Sequence, residues 1–276
     1  MHGLYGPPPL RRPVIDRARQ SARLRALDLR DTVSRRRDRL TPPRRLDFVG
    51  HSDFTATGDE FMAHFVELGG LQPGERVLDV GCGIGRMARP LAGYLSSDGS
   101  YDGFDVNRDG IAWCRRRYRR HANFRFEVAD LFNARYNPRG SQRADEYRFP
   151  YEDASFDFVV ATSVFTHLLE ADATHYVAEC ARVLAPGGRL FATFFLLTDS
   201  SRALIEEDKA GLAFTDIDQR VAILDEALPE EAVAYDDEWV FEALRTNGLQ
   251  LDAEHPGSWS GHDEPVSFQD IVIAHA

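Results

Sequence analysis

The sequence predicts an α/β protein built on a doubly wound, mostly parallel sheet of seven strands. Three observations carry that expectation. From residue 71 onward short apolar runs alternate with helix-period segments, the pattern of β-α-β units. The first apolar run ends in a glycine turn, Gly81-Cys82-Gly83-Ile84-Gly85, and the next two runs are followed closely by acids, Asp105 and Asp130.

Taken in order, residues 1–45 hold thirteen Arg against four Asp, with Ile15, Ala18, Ala22, Ala26, Leu29 and Val33 at helical spacing. They read as an Arg-rich helical arm, which Pro42-Pro43 ends because proline lacks the amide donor and biases its predecessor away from helix. Residues 46–70 are expected to form a linker helix, with the aromatic stretch around Phe48 and Phe54 as a gate over a ligand. The core domain is expected over 71–276. Its parallel strands are predicted at 76–80, 101–105, 124–128, 156–161 and 189–195. Helices over 86–95, 109–118 and 173–184 supply crossovers, and Pro186-Gly187-Gly188 stops the last of them. Segments 249–254 and 268–274 are candidate edge strands. Two insertions, 131–155 and 197–240, leave the carboxyl ends of strands, where open parallel sheets bind ligands. They are expected to wall and cover an acceptor pocket.

Composition narrows the function. With 43% hydrophobic and 28% charged residues the chain is of globular type. No apolar run approaches the roughly 18–20 residues of a membrane span, and the first ten residues lack an apolar signal core; a cytoplasmic protein is expected. Cys82, Cys114 and Cys180 are scattered and form no C-x-x-C, which fits neither a disulfide framework nor a zinc site. No H-E-x-x-H occurs, so no metal is expected. The net charge of −11 hides a split, since the residues after the arm hold twenty basic against forty acidic side chains. Such a body repels a polyphosphate, which disfavours nucleic acid and leaves it only the arm.

The glycine segment is the most informative. In Val77-Leu78-Asp79-Val80-Gly81-Cys82-Gly83-Ile84-Gly85-Arg86 an apolar strand runs into a turn where backbone can approach a ligand without interference from Cβ. A dinucleotide fingerprint needs its third glycine at position 86, which is Arg86. Asp105 is placed to accept two hydrogen bonds from a ribose diol, and Asp130 with Leu131 could hold the edge and face of an adenine. A phosphate-free, positively charged nucleoside suits this acidic rim better than a pyrophosphate does.

These residues resemble the class I S-adenosylmethionine-dependent methyltransferases. The resemblance rests on Asp79 to Gly85, Asp105, Asp130, the segment Ser163-Val164-Phe165-Thr166-His167-Leu168 and the approach to strand five, residues 182–190. It covers about residues 70–200 and implies a Rossmann-like sheet with an antiparallel edge and S-adenosylmethionine as cofactor. Asp79, Gly81, Cys82, Gly83, Gly85, Arg86, Asp105, Val106, Asp130, Leu131 and Ser163 are the implied cofactor residues. Finer similarity, in Trp113-Cys114, Tyr136-Asn137-Pro138 and Gln269-Asp270-Ile271, is to bacterial small-molecule methyltransferases, so a small-molecule acceptor is expected.

Methyl transfer asks the protein to align the acceptor and take its proton. His167, just past strand four, is the candidate catalytic base for a hydroxyl, or an amine, of a small metabolite; packing of the following helix is the alternative role. Cys82 is expected to be a small apolar neighbour of the cofactor rather than a nucleophile. Methylation of RNA or protein through the arm, and a catalytically silent cofactor-binding module, are the competing functions.

Overall fold

The computed structural model describes residues 27–28, 38–46 and 53–276. Most of the arm and of the aromatic gate therefore lie outside the described residues. Helix α1 (Phe54–Glu67) is capped by Asp53, whose carboxylate accepts from the Thr55 and Ala56 amides. Its buried Phe61 and Phe65 face the sheet.

Strand β1 (Arg76–Val80), α2 (Ala88–Tyr94), β2 (Ser100–Asp105), α3 (Arg108–Arg117) and β3 (Phe124–Val128) follow in strict alternation. After them come β4 (Phe156–Ala161), α4 (Glu170–Val183) and β5 (Leu184–Phe194). The sheet closes with β10 (Gln250–His255) and β11 (Asp270–His275), giving the order β10-β11-β5-β4-β1-β2-β3. The pairs β1·β2, β1·β4, β2·β3 and β4·β5 are parallel, while β11 runs antiparallel to both β5 and β10. This is the expected seven-stranded sheet with its antiparallel edge. Both faces are covered. One set of alternating residues, including Val77, Phe158 and Phe191, packs with α1 to α3, and the other, including Leu78, Val159 and Ala192, packs with α4.

Two expectations need correction. The Pro186-Gly187-Gly188 segment does not separate a helix from strand five; β5 begins at Leu184 and contains it. The pairing of β4 with β5 shifts register between Phe156 and Phe158, so a bulge absorbs these residues. Likewise α2 starts at Ala88 rather than at residue 86, because Gly81, Gly83 and Gly85 all have positive φ and residues 81–87 remain a turn.

The 197–240 insertion, expected to cover the pocket, contributes no residue to the cavity lining and is an element of architecture. With β6 (Leu196–Leu197), it supplies α5 (Asp199–Glu206), β7 (Thr215–Asp216), β8 (Val221–Ile223) and β9 (Val233–Asp236), which form a second sheet ordered β6-β9-β8-β7. Helix α6 (Asp237–Thr246) leads back to β10. The second sheet is fastened by Asp270, 3% exposed. Its carboxylate accepts from the Leu196 amide, the Gly257 amide and Trp259 Nε1, each at 2.7 Å.

Each donor left unpaired in a buried site costs about 1–3 kcal/mol. Asp270→Ala is therefore expected to destabilise the protein by about 3 kcal/mol or more, lowering the melting temperature by on the order of 10 °C. Calorimetric melting checks this, and an unchanged transition would show that Asp270 does not fasten the second sheet.

Candidate active site

Strands β1, β2 and β4 end at a common cavity. Its lining includes Gly81, Gly83, Asp105, Val106, Leu131, Ser163 and His167 from the expected set. Phe104, Ala129, Phe132, Asn133, Tyr136, Ala144, Val164, Leu168, Asp172 and Tyr176 add a mainly apolar wall. Asp79, Cys82, Gly85, Arg86 and Asp130 stand outside the lining.

The glycine turn is held down by Asp105. One carboxylate oxygen accepts from the Gly83 amide at 2.8 Å and the other from the Asn107 amide at 2.7 Å. These amides favour the charged form while burial raises the pKa, and burial is the larger effect. A carboxylate has about four acceptor positions, so lone pairs remain for a diol. The cradle is tight. A Cβ at Gly81, where φ is +72°, would lie 2.6 Å from Val164 Cγ2, and one at Gly110 would lie 2.8 Å from the Gly83 carbonyl.

Behind the turn, Asp79 is fully buried and accepts from the Tyr101 hydroxyl at 2.6 Å. Its Oδ1 has no hydrogen-bond partner, and burial pushes its pKa up to about 7. Cys82 is buried, and burial first, then Asp79 and Asp105, push its thiol well up. It sits as a protonated packing group.

Asp130 does not itself line the cavity. Its oxygens accept from Ser141 Oγ at 2.7 Å and pair with Arg108 at 2.8 Å, and both partners hold its pKa low. Leu131 and Ala129 reach the cavity where Asp130 does not. Arg86 contributes its backbone to the packing of α1, since a Cβ at Gly58 would lie 2.8 Å from its carbonyl.

His167 is where the two insertions meet. Its Nδ1 lies 3.0 Å from the Glu230 carbonyl, which can only accept, so Nδ1 carries the proton. Nε2, 3.2 Å from the Tyr136 hydroxyl, is then the acceptor. Burial, the largest influence, pushes the imidazolium pKa down to about 4. The insertions also grip each other. Glu230 Oε1 accepts from the Ala134 amide at 3.2 Å, Arg135 pairs with Glu231, and Asn133 Nδ2 donates to the His167 carbonyl at 3.3 Å. Sequence reasoning missed Tyr136 and Glu230 as partners of the histidine. An aromatic residue in an insertion was the available signal for the first; a backbone carbonyl has none.

Comparison with known proteins agrees with this geometry. A family model described as a methyltransferase domain matches residues 78–192. The 27-O-demethylrifamycin SV methyltransferase of Amycolatopsis mediterranei is 33% identical over 73% of this chain and 74% of its own length. The chain belongs to the class I S-adenosylmethionine-dependent methyltransferases. A phthiotriol/phenolphthiotriol dimycocerosates methyltransferase of Mycobacterium ulcerans is 35% identical over 53% of this chain and 47% of its own. Among solved structures, the PH0226 protein of Pyrococcus horikoshii has a TM-score of 0.54 at 18% identity, covering 80% of this chain and 89% of its own. A methyltransferase from Methanosarcina mazei scores 0.50 at 22% identity, over 74% and 93%. These two share the fold.

The cofactor of this methyltransferase is S-adenosylmethionine, and the residues present fit it. The glycine cradle leaves no room for side chains, Asp105 keeps free lone pairs, and Asp79 holds an orphaned oxygen beneath the turn. Among the described residues no helix is long and apolar enough to cross a membrane.

Proposed function

We propose that the methyltransferase alkylates a hydroxyl group of a predominantly apolar small molecule, with His167 as the catalytic base. One observation carries the reading: a histidine in the cavity wall whose Nδ1–H is committed to the Glu230 carbonyl, so that Nε2 is the unprotonated nitrogen. The cofactor, when bound, supplies a methyl group on a positively charged sulfur. Gly81, Gly83 and Asp105 orient the nucleoside, and Leu131 with Val106 packs against the base. His167 Nε2 takes the hydroxyl proton as the oxygen is alkylated, and Tyr136, its present partner, yields that position or passes the proton along.

A weak base suffices, because an alcohol oxygen becomes strongly acidic as it gains the methyl group. A base of pKa about 4 also stays unprotonated at neutral pH. The apolar wall and the half-exposed Phe132, 50% accessible, favour a lipid-like or polyketide-like acceptor, and the relatives named above are methyltransferases of 27-O-demethylrifamycin SV and of phthiotriol/phenolphthiotriol dimycocerosates. Asp172 in the cavity wall disfavours anionic acceptors.

The test is to melt the protein with S-adenosylhomocysteine and then follow labelled methyl groups into small-molecule extract, total protein and total RNA. Stabilisation together with label in an alkali-stable ether of the small-molecule fraction is expected. Label confined to RNA or protein, or to amines, overturns the reading.

A further inference from the structure

Ser163, in the cavity wall, has φ of +56°. A serine stays in that left-handed region only where its surroundings hold it. Here the surroundings are two residues that do not line the cavity. The Ser163 amide donates to Thr193 Oγ1 at 2.8 Å. The Thr193 hydroxyl donates to Gln269 Oε1 at 2.6 Å, and Ser163 Oγ donates to the same oxygen at 3.0 Å. Thr193 is fully buried in β5 and pairs in register with Ile271 of β11, two residues beyond Gln269. Gln269 Nε2 faces Thr166, also fully buried, at 3.5 Å.

We propose that Thr193 and Gln269 are positioning residues, a hydroxyl-amide clamp that keeps Ser163 left-handed and so sets the chain after β4 for methyl transfer. The reversal at Ser163 brings Val164 Cγ2 to 2.6 Å from where a Cβ of residue 81 would be. It also starts the single turn Phe165–His167, in which the His167 amide donates to the Val164 carbonyl at 2.9 Å. The clamp thus fixes the glycine loop and the proposed base relative to one another, from a strand that touches neither ligand. Its activity arm rests on the function proposed above; its structural arm does not.

The test uses the full chain as Thr193→Val, Gln269→Leu and Thr193→Ser. Turnover is measured on the acceptor found with labelled S-adenosylmethionine, binding by calorimetry with S-adenosylhomocysteine, and amide exchange of Ser163 by NMR. For Thr193→Val and Gln269→Leu, turnover is expected to fall at least tenfold with the KM for S-adenosylmethionine and the affinity for S-adenosylhomocysteine within threefold. The Ser163 amide is expected to exchange at least tenfold faster while amides of β1 keep their rates, and Thr193→Ser is expected to restore both. Turnover within twofold of wild type in both variants, a loss that Thr193→Ser does not restore, or uniformly faster exchange across the sheet overturns the clamp. If the wild-type protein methylates nothing, the functional reading falls, and the exchange and binding measurements still decide the clamp.

Discussion

His167→Ala is expected to cut turnover by about 10²- to 10⁴-fold, the usual contribution of a placed general base, while S-adenosylhomocysteine affinity changes by less than about threefold. The side chain is held by Tyr136 and Glu230 and makes no hydrogen bond to the glycine loop, so cofactor binding has no reason to follow activity down. The pH dependence gives a second signature. With the folded pKa lowered to about 4, the acid limb of kcat/KM due to this group lies near pH 4 instead of near the unperturbed value of about 6.5. Stability moves the same way: the unfolded chain accepts a proton at about 6.5 and the folded chain does not, so stability is lost as pH falls from there toward 4. The variant lacks that component. Steady-state kinetics and urea titrations at several pH values check both, and full activity of the variant, or an acid limb near 6.5, would refute the assignment.

Asp105→Ala is expected to weaken S-adenosylhomocysteine binding by about 100-fold or more. Hydrogen bonds to a charged group contribute about 1.5–3 kcal/mol each, and two to a ribose diol would be lost together. The substitution also frees the Gly83 and Asn107 amides that the carboxylate now holds, so the turn loses its preorganisation as well as its acceptor. Calorimetry decides, and affinity within threefold of wild type would place the ribose elsewhere.

Much of this molecule is legible from the chain, for identifiable reasons. Strands β1, β3 and β4 fall at the expected bounds because their residues are apolar on both faces or alternate cleanly, and β1 runs straight into a glycine turn. The second sheet escapes such reading. Strands of two to four residues, such as Thr215–Asp216 and Val221–Ile223, are too short to show a period, and they lie in an acidic stretch whose surface charge gives no hint of pairing. Within the site, Asp105 and His167 are legible because one closes β2 and the other follows β4, on the side where open parallel sheets bind ligands, and both side chains are chemically distinctive. At Asp130 the residue type and offset are legible, but its bonds to Arg108 and Ser141, one to each oxygen, are not. The left-handed turn at Ser163 leaves no trace at all, since serine does not announce its φ and the residues that hold it lie 30 and 106 positions away.

The bond between His167 and the Glu230 carbonyl bears on how such an enzyme can diversify. What tunes the imidazole from the second insertion is a main-chain atom, present whatever amino acid occupies the position. Mutation can therefore recolour the rim of the pocket toward a new acceptor while the tautomer of the histidine is inherited unchanged, so long as the loop keeps its course.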